Sequence, residues 1–326
     1  MERQGRAHLR RTVPDDARSR AGQTGTGQGG YGMKYFLTIG TYDGVHLGHR
    51  KILSAALREA GRRTLKSRIV YFRQPPKFFF TGETENCLIT LPEERKALLK
   101  ALGPDSVEAI AFNASLSKMG ASDFFQNIIL GRLQAGGLCV GPDFAVGRGR
   151  EGHLDFLRSA SAEAGIAFKA VHFARRRGHK ISSSLIRAHL RAGAVEEANR
   201  CLGWTYSVCG PVIKGAGLGR RIGFPTANIG ANPAKILPPG IFAARVKIGR
   251  ESFNAVLNVG RRPTVEAPGG KMILEAHILD FSRMIYGKKM EVSFLKHIRP
   301  ERKFHSMDSL IRHIQTDVSA ARKFFK

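Results

Sequence analysis

The chain has 326 residues, 42% of them hydrophobic, which is enough for about two ordinary globular domains. Lysine and arginine number 53 against 26 acidic residues, a formal charge of +27 that suits polyanions: nucleic acid, a membrane surface, or small molecules such as nucleotides. No apolar run approaches the roughly 18 residues that a spanning helix needs, and residues 1–32 hold no hydrophobic signal segment, so neither a membrane-spanning nor a secreted protein is expected.

Residues 1–32 are rich in Arg, Gly, Gln and Thr and almost lack large apolar side chains. They read as a dispensable disordered tail, or as an overlong start to a chain that begins at Met33. Cys87, Cys139, Cys201 and Cys209 show no C-x-x-C spacing, so small thiols in a reducing, cytoplasmic setting are expected rather than a zinc site or a disulfide framework.

From Met33 to about Phe173 strands and helices alternate, the pattern of a parallel α/β sheet. Lys34–Ile39 predicts a buried strand. Ile52, Leu53, Ala56, Leu57 and Ala60 predict a helix after it. Between them runs Thr38-Ile-Gly-Thr-Tyr-Asp-Gly-Val-His-Leu-Gly-His49. His46 and His49 fall in the first turn of that helix, where unpaired N–H groups and the helix dipole favour anions. Gly44 and Gly48 would let a phosphate approach the backbone, and two imidazoles there can stabilise charge on a phosphate under attack. Further strands are expected at Arg68–Phe72, Val107–Phe112, Leu138–Val140 and Ala167–Phe173. Helices are expected at Glu93–Leu102, at Ala121–Leu133 with Ser122 as its cap, and at Leu154–Ala164.

Lys180-Ile-Ser-Ser-Ser-Leu-Ile-Arg187 places three hydroxyls, Ser182, Ser183 and Ser184, before a helix at Leu185–Leu190, with Arg187 one turn on. Such a cluster caps a helix and can also donate to phosphate. A short helix at Val195–Leu202 follows. After Trp204 short alternating runs punctuated by Gly and Pro predict an antiparallel barrel: Tyr206–Gly210, Phe242–Ile248, Phe253–Val259, Met272–Leu279 and Met290–Leu295. Leu310, Ile311, Ile314 and Val318 stripe a closing helix. Between the first two runs, Gly215, Gly217 and Gly219 form a loop that a ligand can approach closely, followed by Arg220 and Gly223-Phe-Pro-Thr-Ala-Asn228.

These motifs resemble those of prokaryotic bifunctional riboflavin kinase/FAD synthetases, in the family's order, over about Met33–Lys326. The stretch from Gly40 to His49 is similar to G-x-(F/Y)-D-G-V-H-x-G-H, the long form of the HxGH signature of nucleotidyltransferases. Ile181–Arg187 resembles the I-S-S-(T/S)-x-I-R segment that contacts ATP phosphates, and Gly141-Pro-Asp143-Phe resembles the start of G-x-D-F-x-F-G. Gly223–Asn228 resembles the P-T-A-N motif, where Thr and Asn bind ATP phosphate and Mg²⁺. Asn258–Thr264 is similar to N-x-G-x-x-P-T, and Leu274–Phe281 to L-E-x-H-(I/L)-L-D-F, in which the glutamate is the catalytic base. Arg299–Phe304 and the last helix match the family's C-terminal end.

The resemblance implies a Rossmann-like HxGH adenylyltransferase domain over 33–187, a helical linker over 188–203, and a small β-barrel riboflavin kinase domain with a C-terminal helix over 204–326. His46, His49 and Glu275 are the implied catalytic groups. Gly40, Asp43, Gly44, Gly48, Asp143, Ser182–Ser184, Arg187, Gly215, Gly217, Gly219, Arg220, Thr226 and Asn228 are the implied ATP and phosphate contacts, and Thr226 and Asn228 the implied Mg²⁺ ligands. Riboflavin would become FMN with ATP, and FMN would become FAD with release of pyrophosphate. The partners would be these small molecules rather than nucleic acid or membrane. The sequence departs from the family at Thr41, usually Asn, and at Phe72-Arg-Gln-Pro-Pro76, where many members carry F-(D/E)-P-H-P. These departures bear on flavin contacts and on the rate of adenylyl transfer. The alternative is a riboflavin kinase with a weakened adenylyltransferase domain.

Overall fold

The structure, a computed structural model, describes residues 34–176, 178–215, 217–264 and 267–326, with side chains outside 262–271. The tail expected over 1–32, the start at Met33 and the Pro-Thr end of the turn at 258–264 lie outside the described residues and side chains.

Five parallel strands form the first layer: Tyr35–Gly40 (β1), Lys66–Phe72 (β2), Ser106–Ile110 (β3), Ala135–Val140 (β4) and Ala167–Ala170 (β5), in the order β3-β2-β1-β4-β5. Helices cover both faces, so β1 is apolar on each: Leu37 and Ile39 pack into one core, Phe36 into another. The strand order reverses between β1 and β4, which opens a crevice at their carboxyl ends. β4 starts three residues earlier than its apolar run predicts. A Cβ at Gly137 would stand 2.4 Å from the Phe36 ring, so packing demands the glycine that hides the strand.

The helices of this half are Leu47–Arg62 (α1), Pro76–Thr81 (α2), Pro92–Lys100 (α3), Ala114–Lys118 (α4), Ala121–Asp123 (α5), which runs on as a π-helical segment Phe124–Arg132, and Leu154–Glu163 (α6). Ser122 does not cap the α5 helix, contrary to expectation. Gly120 is its N-cap, and the carboxylate of Glu151 accepts the N–H of Ala121 at 2.8 Å instead. A short hairpin pairs Arg175–Arg176 (β6) with His179–Lys180 (β7). Ser183–Arg191 (α7) and Val195–Leu202 (α8) follow.

The second half is a closed antiparallel barrel of Ser207–Ile213 (β8), Ala227–Ile229 (β9), Gly240–Ile248 (β10), Glu251–Thr264 (β11), Ala267–Ile278 (β12) and Lys289–Arg299 (β13), ordered β10-β11-β12-β9-β8-β13. A one-turn helix, Leu218–Arg221 (α9), lies in the glycine loop, and Met307–Phe325 (α10) closes the chain. Alternation sends Val246, Leu257, Leu274, Ala276, Val292 and Phe294 into the barrel. Ile186, Leu190, Val195 and Leu202 of α7 and α8 join the same core. A separate outer cluster, with Ile241, Ala243, Val256 and Leu279, meets Ala321 of α10. Among the described residues no helix is long and apolar enough to cross a membrane. The four cysteines are free, and burial pushes the Cys139 thiol up to about 12.

Candidate active sites

The first site forms where β1 hands over to α1. The connecting loop is wound tightly, with positive φ at Tyr42 (49°), Gly44 (88°) and Val45 (38°). For a β-branched valine that is a strained conformation, of the kind found at functional loops. The Val45 side chain is fully buried and its N–H bonds the carbonyl of Tyr42 at 2.9 Å, which holds the strain in place. The loop delivers His46 as the N-cap of α1: its Nδ1 accepts the N–H of His49 at 3.2 Å. The two imidazoles stack, with centroids 3.5 Å apart and planes 19° from parallel. A Cβ at Gly48 would lie 3.0 Å from the His46 ring, and one at Gly40 would stand 2.8 Å from the Tyr42 ring, so a side chain at either position would displace an aromatic ring of the site.

Burial pushes the His46 imidazole down to about 4, against the attraction of Asp43. Burial also holds His49 well below its ordinary value, helped by His46. Both are therefore neutral near pH 7. Because His46 Nδ1 is an acceptor, its Nε2 carries the proton and is available as a donor. The unfolded histidine titrates near 6.5, so between about pH 6.5 and 4 the unfolded chain binds more protons than the folded one. The contribution of His46 is fully present above that window and is lost as pH falls through it, by at most about 3 kcal/mol. His46→Asn keeps a good cap acceptor and removes the titration. The urea midpoint of this variant should fall less between pH 7.5 and 4.5 than that of the wild type; an equal fall would refute the assignment.

A cavity of about 400 Å³ lies over the pair, lined by Gly40, Gly48, Asp143, Lys180, Ser182–Ser184 and Arg187, with Pro75, Pro76 and Lys77 on another side. Ser182 caps α7 by accepting the N–H of Leu185 at 3.2 Å, Ser183 donates to the Asp43 carbonyl at 2.9 Å, and Ser184 is exposed. Asp143, at the end of β4, pairs with Lys180 at 2.9 Å. The histidines, Asp143 and the serine cluster thus meet across the switch point.

Two expected contacts stand apart from the lining. Asp43 is fully buried between Arg95 (3.1 Å) and Arg187 (2.7 Å) and accepts from the N–H groups of Ile89 (3.1 Å) and Thr90 (2.9 Å). Burial alone would raise its carboxyl; the two guanidinium groups outweigh that and hold it below the usual range. Gly44 gives its N–H to Thr90 Oγ1 at 2.9 Å. Asp43 and Gly44 therefore brace the loop rather than face the cavity. Arg187 spends Nη2 on Asp43 and Nε on the Cys87 carbonyl (2.8 Å) while bordering the cavity. Sequence reasoning missed Arg95, which is fully buried: on α3 it reads as an ordinary solvated charge.

The second site lies on the outer wall of the barrel, beneath α10. The register pairs Glu275 of β12 with Asn258 of β11 on one side and with Asn228 of β9 on the other. Asn258 Nδ2 donates to Glu275 Oε2 at 3.4 Å. His277 shares this face and bonds the Pro225 carbonyl at 2.9 Å, so its Nδ1 carries a proton. A Cβ at Gly215 would stand 2.2 Å from Asn228 Nδ2, and one at Gly219 would stand 2.4 Å from the Phe224 carbonyl. Gly217 (φ 71°) caps α9, from which Arg220 extends. A cavity of about 350 Å³ joins these glycines, Arg220, Thr226, Asn228 and Glu275 to an apolar wall of Leu310, Ile314 and Val318 on α10. Arg299 and Asp317, paired at 2.7 Å, help anchor that helix. Asn258 and Arg299 each open a motif quoted from the sequence but carry no role there, and Asp317 has no sequence signal, since their partners lie across strands or 18 residues away.

Among the described residues no group of three His, Cys, Asp or Glu could hold a metal. Thr226, Asn228 and Glu275 offer hard oxygen donors, a set that suits an ion shared with phosphate oxygens rather than caged by protein alone.

A family model described as FAD synthetase matches residues 32–185, and one described as riboflavin kinase matches residues 202–325. The chain is 36% identical over 285 residues to a bifunctional riboflavin kinase/FMN adenylyltransferase of Pseudomonas fluorescens, covering 87% of this chain and 91% of the relative. It is 35% identical over 294 residues to the enzyme of the same description from Haemophilus influenzae, covering 89% and 94%. A crystal structure from Streptococcus pneumoniae, described as a macrolide-efflux protein, superposes with a TM-score of 0.81 at 28% identity over 90% of this chain and 95% of that one. With relatives of this identity aligned along nearly their whole length, the chain belongs to the bifunctional riboflavin kinase/FMN adenylyltransferase family.

Proposed function

We infer that this chain makes both flavin cofactors: it phosphorylates riboflavin to FMN with ATP, and adenylylates FMN to FAD with release of pyrophosphate. The observation that carries this reading is the presence of two separate cavities in one chain, each lined by its own motif residues. The kinase-only alternative would leave an assembled histidine pair and serine cluster without a task. Incubating the protein with riboflavin, ATP and Mg²⁺ and separating the flavins tests it: FMN followed by FAD is expected, and FMN alone would restore the alternative.

We assign phosphorylation to the barrel domain, 204–326, and adenylyl transfer to 33–187, with 188–203 between them. In the barrel, Glu275 takes the proton from the ribityl 5′-hydroxyl. Thr226 and Asn228 would hold the polyphosphate and Mg²⁺, which would neutralise phosphate charge, so catalysis there is chiefly positioning and electrostatics. The wall of Leu310, Ile314 and Val318 suits an apolar flavin ring. In the first cavity a phosphate oxygen of FMN attacks the α-phosphorus of ATP and pyrophosphate leaves. His46 and His49 donate to the charge that develops, Ser182–Ser184 supply further donors, and Arg187 borders the site. The bare backbones of Gly40 and Gly48 admit the nucleotide. Asp143 acts through Lys180, whose ammonium it positions. Lys77, Arg150 and Lys180 line this cavity and suit nucleotide and flavin phosphates. A cytoplasmic location agrees with four free thiols.

A further inference from the structure

The loop that aims His46 is held from an unexpected direction. Trp204 is the chain's single tryptophan. It lies within the segment matched by the riboflavin kinase model, beyond the end of the FAD synthetase match. Its indole Nε1–H donates to the carbonyl of Gly44 at 2.9 Å. Gly44 is two residues before His46 and sits at φ 88°, next to the strained Val45. The surroundings leave little slack. An ideal Cβ at Gly44 would touch Leu202 at 3.2 Å and Ile89 at 3.0 Å, and one at Gly203 would strike Leu47 of α1 at 2.5 Å. Behind the indole the contact continues to Tyr206, with ring centroids 6.3 Å apart. The Tyr206 hydroxyl bonds the Ile236 carbonyl at 2.6 Å, and its ring packs on Phe294 of β13. The Trp204 side chain thus ties the barrel core to the backbone of the histidine loop by a hydrogen bond.

We propose that Trp204 is a positioning residue for adenylyl transfer, supplied by the kinase half of the chain, whose indole N–H fixes the Gly44 carbonyl and so the height of the His46–His49 stack over the first cavity. The proposal rests on the adenylyl-transfer reading of that cavity. Without the N–H, the carbonyl of buried Gly44 loses a partner and the loop gains freedom where the reaction needs a fixed donor.

A single tryptophan makes the test site-specific, because global incorporation of an analogue alters residue 204 alone. Replacement by benzothienylalanine keeps the shape and removes the N–H; a ring-fluorinated tryptophan keeps both. The benzothienyl protein, and Trp204→Phe, should show kcat for FAD formation from FMN and ATP lowered about three- to tenfold. Riboflavin phosphorylation should be unchanged, and the fluorinated protein should retain the wild-type kcat. A benzothienyl protein with wild-type kcat for FAD would overturn the proposal. So would a parallel fall of both activities tracking a lower Tm, which is the signature of a merely structural role. If the unaltered protein makes FMN and no FAD, the reading beneath the proposal fails, and this role fails with it; that result is distinct from the other two.

Discussion

A protein carrying His46→Ala and His49→Ala is expected to form no detectable FAD from FMN and ATP, while converting riboflavin to FMN at close to the wild-type rate. The two rings stack at 3.5 Å over the first cavity, and burial keeps both neutral, so each acts as a hydrogen-bond donor rather than as a fixed charge. Removing one positioned donor of this kind costs on the order of 10²–10³ in rate, and losing both exceeds the range of an ordinary assay. The double change also deletes the cap on the His49 N–H, a loss of about 1 kcal/mol. Retained phosphorylation in the same sample shows that the barrel is intact, and circular dichroism reports on the rest. FAD formation by the double variant at a tenth of the wild-type rate or better would remove the histidines from the chemistry.

Glu275→Gln should produce the converse phenotype: FMN formation slowed by about 10²–10⁴, with FAD formation from supplied FMN unaffected. The substitution is nearly isosteric on β12 and can still hydrogen-bond to Asn258, so the register with Asn228 and Asn258 should survive. What disappears is the capacity to accept a proton from the attacking hydroxyl. The two products, measured separately on one preparation, discriminate between a lost base and a damaged fold. A Glu275→Gln enzyme that turns over riboflavin normally would require another base on this wall.

Much of this was legible in the sequence because strand parity and helix period report burial directly. β1, β10 and α8 fall within two residues of their apolar runs. The gaps have physical causes. Gly137 masked the start of β4 because the space a side chain would need is filled by Phe36. β9 is three residues long and lies inside a motif that reads as a turn. The bracing of Asp43 by Arg95 and Arg187 spans 52 and 144 residues, a separation that no local pattern records. Asp43 shows the limit most sharply: its place in a ligand-binding motif says that it matters, whereas its burial between two guanidinium groups, bonded to the N–H groups of Ile89 and Thr90, could not be read there. His46 is similar, since histidine is not a favoured cap and its bond to the His49 N–H could not be read from residue type.

β12 has one further consequence. Leu274, Ala276 and Ile278 point into the barrel and are buried there, whereas Glu275 and His277 face the cavity outside. From 274 to 278, even-numbered positions are therefore expected to govern melting and odd-numbered ones turnover. A library of β12 variants sorted once for thermal endurance and once for catalytic output would yield two interleaved sets of tolerated residues, so the enzyme's durability and its chemistry can be improved independently along the same few residues of backbone.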